Sequence, residues 1–150
     1  MQRPDPRPAP GLLLARGVSR SLVQLGWATL TEVTLANGRR ADVLAIDGAA
    51  GIAIVEVKSS VEDFRSDRKW GEYRQFCDAL YFAVPEAFPV ELIPEECGLI
   101  AADPFGAEIL RPAPLVPLNA ARRKAVMLRF ARLAAQRLHR LADPGAGLQG

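Results

Sequence analysis

The sequence predicts one α/β domain built around a mixed β-sheet. Its 150 residues suit a single domain rather than two. Apolar residues make up 49% of the chain and charged residues 24%, which are fractions typical of a protein that buries a core. Segments with strand-like patterns alternate along the chain with segments of helical period, which is the order expected of an α/β fold.

The first half of the chain predicts one helix and three strands. Leucines and valines recur mostly every three or four residues over 11–25, which predicts a helix that Gly26 ends. Three segments rich in Val, Ile and Thr then predict strands, separated by the turn residues Asn37-Gly38 and by residues 48–50. These predicted strands are residues 27–35, 40–47 and 52–58.

The second half predicts a further helix, three short strands and a long last helix. Ser60 followed by Asp63 resembles a helix N-terminal capping box and predicts a helical region, continuous or broken, to about residue 78. The remaining elements are a strand over 80–84, a loop or short helical turn over 89–96, a hairpin of strands 97–101 and 107–110, and a helix over 119–142. Residues 1–10 and 143–150 are predicted to be disordered tails, so the domain spans residues 11–142.

The strands over 40–47 and 52–58 bring three charged side chains together. If they close over residues 48–50, the numbers of paired residues sum to 98, so that Asp42 faces Glu56. One face then carries Asp42, Glu56, Lys58, Leu44, Ile46, Ile52 and Ile54, and the other carries Ala41, Val43, Ala45, Ala53, Val55 and Val57. Both faces are otherwise apolar, so these strands are predicted to be central and covered on both sides.

The paired carboxylates of Asp42 and Glu56 indicate a metal site. Two carboxylates about 5 Å apart repel by roughly 3 kcal/mol at an effective dielectric constant of about 20, and Lys58 offsets only part of this. A divalent cation between them would turn the repulsion into attraction, and hard oxygen ligands favour Mg²⁺ or Mn²⁺. The alternatives are a solvated charge cluster at the rim of the sheet, or a bulge that moves Asp42 away from Glu56.

Composition excludes several other kinds of chemistry. Two cysteines twenty residues apart, Cys77 and Cys97, form neither a disulfide framework nor a thiolate zinc site. A single histidine, His139, excludes histidine-rich metal sites and argues against histidine-dependent nucleophilic catalysis. No segment approaches the roughly 20 apolar residues that span a bilayer, and no signal-peptide pattern is present, so a cytoplasmic protein without membrane contact is predicted.

The residues around this cluster resemble a known family. Asp42, thirteen further residues and then Glu56-Val57-Lys58 resemble the D…ExK signature of the PD-(D/E)xK nuclease superfamily. The longer runs ADVLAID, IVEVKSS and DFRSDRKWGEYRQFCDALYFAVP resemble the MmcB-like bacterial DNA repair family within that superfamily, and the resemblance covers about residues 11–141. Ala41 stands where the signature has proline. The first helix lacks the acid that many members carry, so Glu32 on the first strand is the nearest candidate.

The resemblance implies a restriction-endonuclease-like fold and a Mg²⁺- or Mn²⁺-dependent deoxyribonuclease of bacterial DNA repair. It implies that Asp42, Glu56 and the backbone carbonyl of Val57 bind the metal, with Glu32 as a further candidate ligand. It implies that Lys58 orients or deprotonates the attacking water. DNA is then the partner, other repair proteins are candidates, and the oligomeric state stays open, a homodimer included.

Polar residues after Lys58 have two interpretations. The resemblance suggests that Lys69 or Gln75 contacts phosphate or supports the site. Local patterns instead favour Asp63 as a helix cap, Asp67 and Lys69 as solvated surface residues, and the aromatic residues of this region as core packing. Those aromatic residues are Trp70, Tyr73 and Phe76.

The last helix is predicted to have an arginine side and an apolar side. Residues 119–142 contain seven Lys or Arg and no acid, and because the whole chain carries +2, the remainder carries about −5. At about 100° per residue, one side carries Arg122, Arg129, Arg132, Arg137 and Arg140, and the other carries Met127, Phe130, Ala131, Ala134, Leu138 and Leu141. The arginine side is predicted to bind DNA phosphates. A solvated face, an acidic protein or an anionic membrane surface are the alternatives.

Three other functions compete with a DNA nuclease. The first is a catalytically weak or inactive nuclease-fold module that binds DNA or protein in a repair complex. The second is a nuclease that acts on RNA, since the residues do not distinguish the sugar. The third is an interaction protein whose arginine helix docks on an acidic partner.

Overall fold

The fold is a six-stranded mixed sheet with helices on both faces. A computed structural model describes residues 8–145. The strands lie in the order β1-β2-β3-β4-β5-β6; the neighbouring pairs β3–β4 and β4–β5 are parallel, and the other three pairs are antiparallel. Their bounds are β1 Ala28–Thr34, β2 Arg40–Ile46, β3 Ile52–Val57, β4 Ala79–Val84, β5 Gly98–Ala102 and β6 Ala107–Arg111. The α-helices are α1 Pro10–Gln24, α2 Val61–Ser66 and α3 Ala120–Ala142, and 3₁₀ helices cover Trp70–Phe76 and Val90–Leu92.

This architecture confirms the predicted α/β fold and is compatible with a restriction-endonuclease-like fold. Every predicted helix and strand is present, with ends that differ by one or two residues. The helical region predicted to reach residue 78 is broken into α2 and the 3₁₀ helix Trp70–Phe76. The predicted disordered tails fall largely on residues 1–7 and 146–150, which lie outside the described residues.

The register between β2 and β3 is the predicted one. Val43 pairs with Val55, Leu44 with Ile54, and so on to the turn, so that paired residue numbers sum to 98. Asp47 closes this turn, because its carboxylate accepts the N–H groups of Ala49 and Gly51. All residues of β3 are buried, which confirms that the strand is central and covered on both sides.

The predicted face of Ala41 is wrong. Ala41 packs in the same core cluster as Leu44 and Ile54, instead of with Val43 on the other face. The cause is a local break in strand alternation. Glu32, opposite this point on β1, has a φ of 51°, in the left-handed region that non-glycine residues seldom adopt. The β1–β2 pairs on either side of Glu32 are kept, so the two strands stay paired. Beyond this point, however, side chains lie on the opposite face from the one that regular alternation predicts.

Two apolar layers cover the sheet. Helix α1 packs Leu14, Val18 and Leu22 on one face, and α3 with the 3₁₀ helix Trp70–Phe76 packs on the other. Gly17 lets α1 approach closely, because a β-carbon there would overlap the backbone oxygen of Asp103 in the β5–β6 turn. This approach fixes α1 against the sheet, with its N-terminal end beside the ends of β2 and β3.

A partly buried ion pair joins the sheet to α3. Asp78, just before β4, accepts hydrogen bonds from both terminal nitrogens of Arg123 at 2.6 and 2.7 Å. The same carboxylate accepts the N–H groups of Ile52 at 2.8 Å and Leu118 at 2.7 Å. The hydrogen bonds from Arg123 lower the pKa of Asp78 to about 2. Nothing in the sequence pattern indicated this pair, because its members are separated by 45 residues.

The predicted apolar side of α3 is largely uncovered. Val126 is the buried residue of the helix, and Met127, Phe130 and Leu133 pack partly against the core. Leu138 and Leu141, which lie on the predicted apolar side, are 67% and 82% exposed. The packed face of the helix is centred on Val126, and among residues 8–145 no element covers its last turn, where residues 138–142 are all exposed. Within residues 8–145, no helix combines the length and apolarity needed to cross a membrane.

Candidate functional site

A polar cavity of about 550 Å³ opens where β2 and β3 meet α1 and α2. All three predicted catalytic residues, Asp42, Glu56 and Lys58, line it, together with Val57 and Glu32. Its other polar wall residues are Thr31, Arg39, Arg40, Asp63, Asp67 and Tyr73. The structure therefore brings the predicted metal and catalytic residues into one cavity.

Asp42 and Glu56 are held side by side by backbone hydrogen bonds. The regular β2–β3 pairing stops at Val43 and Val55, one position before them. Beyond that point the carboxylates replace main-chain partners. The N–H of Val57 donates to Oδ2 of Asp42 at 2.7 Å, and the N–H of Asp42 donates to Oε1 of Glu56 at 3.2 Å. One oxygen of each carboxylate thus accepts a backbone N–H in place of a carbonyl of the facing strand.

The carboxyl group of Glu56 is buried, which disfavours its ionised form. Its side chain is 3% exposed. Burial, followed by the charge of Asp42, raises the pKa of Glu56 to about 10, and Lys58 counteracts this only in part. An ionised Glu56 therefore lacks sufficient compensation from the protein groups around it.

The donor set fits a hard divalent cation. Within residues 8–145, no three His, Cys, Asp or Glu side chains converge as ligands for one ion, so Glu32 does not join the other two acids in such a group. The available donors are two carboxylates and the carbonyl of Val57. Mg²⁺ is commonly held by one or two carboxylates while water and substrate phosphates complete its shell. The buried Glu56 beside Asp42 matches that pattern.

Lys58 is also buried, and a carboxylate holds it. Its Nζ donates to Oδ2 of Asp67 at 2.8 Å. Burial would raise the pKa of Asp67, but the hydrogen bond and charge of Lys58, with the N–H of Lys69, hold it below its ordinary value. The interpretation of Asp67 as a solvated surface residue is therefore wrong, because its side chain is 17% exposed and paired.

Arg39 continues this network toward the surface. Its guanidinium lies 3.6 Å from Oδ1 of Asp67 and 3.1 Å from Oε2 of Glu72. It also stacks on the ring of Tyr73, whose hydroxyl donates to the carbonyl of Arg40. Sequence patterns missed Asp67 and Arg39 because both act through tertiary contacts. The one available signal was Lys58 itself, since a buried lysine requires a countercharge.

Lys69 and Gln75 are not brought to the cavity. Both side chains are exposed and neither lines it. Gln75 donates to the carbonyl of Glu72 within its own 3₁₀ helix, at 3.4 Å. Their predicted phosphate contact remains a prediction, but they would have to meet phosphate outside this cavity.

The predicted DNA-binding arginines of α3 fall into two groups. The guanidinium carbon of Arg122 lies 4.9 Å from the ring centroid of Phe76. Two other arginines donate hydrogen bonds to the edge strand β1. Those two are Arg129, which donates to the carbonyl of Thr34, and Arg137, which donates to the carbonyl of Glu32. Arg132 and Arg140 are exposed.

Arg129 and Arg132 line a second cavity, of about 490 Å³, between α3 and β1. Glu32 lines both this cavity and the one that holds Asp42 and Glu56. The arginine side of α3 therefore adjoins the candidate site across β1.

Known proteins resemble this chain in sequence and in structure. A family model described as DNA repair protein MmcB-like matches residues 5–145. No curated protein matches the chain. A solved structure, the SPO1766 protein of unknown function from Silicibacter pomeroyi, is 44% identical and has a TM-score of 0.89. The match covers 91% of this chain and 94% of that one.

Proposed function

Because the chain belongs to the MmcB-like family of DNA repair proteins, we propose that it is a metal-dependent DNA nuclease of the PD-(D/E)xK type. It would hydrolyse phosphodiester bonds and leave a 5′-phosphate. The observation that carries this proposal is Glu56, a nearly fully buried carboxyl group beside a second carboxylate. Ionisation of Glu56 is costly in the protein alone, and a cation supplied from solution would offset that cost.

The residues of the cavity have separate roles in this proposal. Asp42, Glu56 and the carbonyl of Val57 would hold Mg²⁺ or Mn²⁺. When bound, the ion would polarise the phosphodiester and lower the pKa of bound water. The ammonium of Lys58 would orient the attacking water and stabilise negative charge on the phosphoryl oxygens. Arg39 and Arg40, which line the cavity, add positive charge where a DNA phosphate would enter.

Metal binding by the purified protein is the first test. We expect calorimetry to detect Mg²⁺ and Mn²⁺ binding by the wild type and none by Asp42→Ala, because half of the carboxylate pair is lost. The matched control is Glu62→Ala, which removes an exposed acid of α2 outside the cavity. Nicked, branched and single-stranded DNA would then be screened for cleavage. Absence of metal binding and of cleavage, with DNA present, would contradict the proposal.

A second candidate is a catalytically weak or inactive nuclease-fold module that binds DNA or protein. It is favoured by the absence of a third convergent acid among residues 8–145. Tight DNA binding without metal-dependent cleavage would support it. Competing cleavage of matched DNA and RNA would separate a DNA nuclease from an RNA nuclease.

The exposed arginines of α3 give a further prediction about DNA. We expect Arg132→Gln to weaken DNA binding several-fold and to reduce the slope of affinity against salt by about one, the value typical of one phosphate contact. Arg132 lines the cavity that adjoins the candidate site through Glu32, whereas Arg140 lines neither cavity. Arg140→Gln is therefore the control and should have a smaller effect. Equal DNA affinity of the wild type, Arg132→Gln and Arg140→Gln in a salt titration would exclude DNA binding along the surface that carries Arg132.

A further inference from the structure

We propose that Asp67 is the positioning residue of Lys58, which it holds in place and keeps away from the metal-binding carboxylates. This inference rests on the proposed nuclease function. It begins from the contact between Lys58 Nζ and Oδ2 of Asp67, at 2.8 Å. Lysine has a long stem with many rotamers, so a buried ammonium has a defined position only when a partner fixes it.

Asp67 is itself fixed on its second oxygen. Oδ1 accepts the N–H of Lys69 at 3.0 Å and lies 3.6 Å from Arg39. Arg39 is held in turn by Glu72 and by the ring of Tyr73. A flexible lysine is thus attached, through one carboxylate, to the segment between α2 and the 3₁₀ helix Trp70–Phe76.

The other acids near Lys58 explain why such a partner matters. Lys58 already acts electrostatically on Glu56, which with Asp42 forms the proposed metal pair. Without Asp67, the ammonium would be drawn to these two carboxylates, because a buried charge seeks the nearest opposite charge. It would then compete with Mg²⁺ and leave the position where it can meet the attacking water.

The test is a double-mutant cycle with two separate readouts. We expect Asp67→Asn to lower kcat about 10- to 100-fold, the range typical of an outer-shell partner, with a smaller change in KM. We also expect it to weaken Mg²⁺ binding in calorimetry with the metal alone. Asp67→Glu should restore part of both. Adding Lys58→Met to Asp67→Asn should restore Mg²⁺ binding, because the competing ammonium is gone, while cleavage stays lost.

A purely structural role of Asp67 predicts something different. It would weaken metal binding in both backgrounds, with no rescue by Lys58→Met. Ser60→Ala is the control for loosening this segment, since it removes the N-terminal cap of α2 at a residue that does not itself line the cavity. Unchanged kcat and Mg²⁺ affinity in Asp67→Asn, or failure of the rescue, would overturn the inference alone. A wild-type protein that neither binds Mg²⁺ nor cleaves DNA would overturn the proposed function and the inference with it.

Discussion

Glu56→Gln is expected to abolish DNA cleavage and, at the same time, to stabilise the metal-free protein. The loss of activity should reach about 1000-fold or more, because several kcal/mol of metal-dependent stabilisation disappear. The gain in stability should be about 1–3 kcal/mol at neutral pH, because the raised pKa of Glu56 means that folding must protonate this carboxyl group or bury its charge, and an amide avoids both. Cleavage assays with Mg²⁺ and denaturant melts in EDTA measure the two effects.

The opposite signs of the two effects make this prediction specific. A residue that only supports the fold would lose activity and stability together. Glu62→Gln, an exposed change on α2, should leave both unchanged within about 0.5 kcal/mol. Excess Mg²⁺ should raise the melting temperature of the wild type but not of Glu56→Gln. Full activity of Glu56→Gln, in a preparation free of other nucleases, would remove Glu56 from the site.

Asp78→Ala is expected to be strongly destabilising. It leaves the N–H groups of Ile52 and Leu118 without their acceptor and Arg123 without its partner. The expected loss is about 2–4 kcal/mol. For a chain of this size that lowers the melting temperature by about 5–15 °C. Thermal and urea melts measure it, with Arg140→Ala as the matched control for losing a surface charge on α3. A change below about 1 kcal/mol would show that the pair adds little to stability.

Acid should remove the same stabilisation in the wild type. The pKa of Asp78 falls from 3.8 to about 2 on folding, so its contribution is fully present above pH 4. It is lost as the pH falls from about 4 to 2, where the unfolded carboxyl binds its proton first. Asp78→Ala should therefore show a weaker loss of stability over this interval. Parallel pH profiles of the two proteins would contradict this assignment.

Local periodicity predicted most of the fold and the centre of the candidate site. Closure of β2 and β3 over residues 48–50 predicted their register and, with it, the position of Asp42 beside Glu56. In an antiparallel ladder, every further pair follows from the pair next to the turn. The same rule failed at Ala41, where the left-handed Glu32 on the neighbouring strand changes the faces. No property of residues 40–47 alone encodes that change.

Tertiary partners were beyond the reach of the sequence pattern. The sequence pattern predicts a solvated surface position for Asp67 and no role for Asp78, and only the packed structure gives them Lys58 and Arg123. The sides of α3 were predicted from hydropathy, but packing centres on Val126, and arginines at 129 and 137 bond to backbone carbonyls. A long arginine can serve a packed edge as well as a solvated face.

The contacts between α3 and β1 can form only late in synthesis, after α3 has been made. Strand β1 lies at an edge of the sheet, and its carbonyls at Glu32 and Thr34 bond to arginines about a hundred residues further along the chain. N-terminal segments leave the ribosome first, so β1 emerges before α3 has been made. The strands that carry Asp42 and Glu56 can therefore pair while that edge is still bare. An open edge strand can pair with strands of other chains, so nascent copies are prone to aggregate until α3 packs against β1.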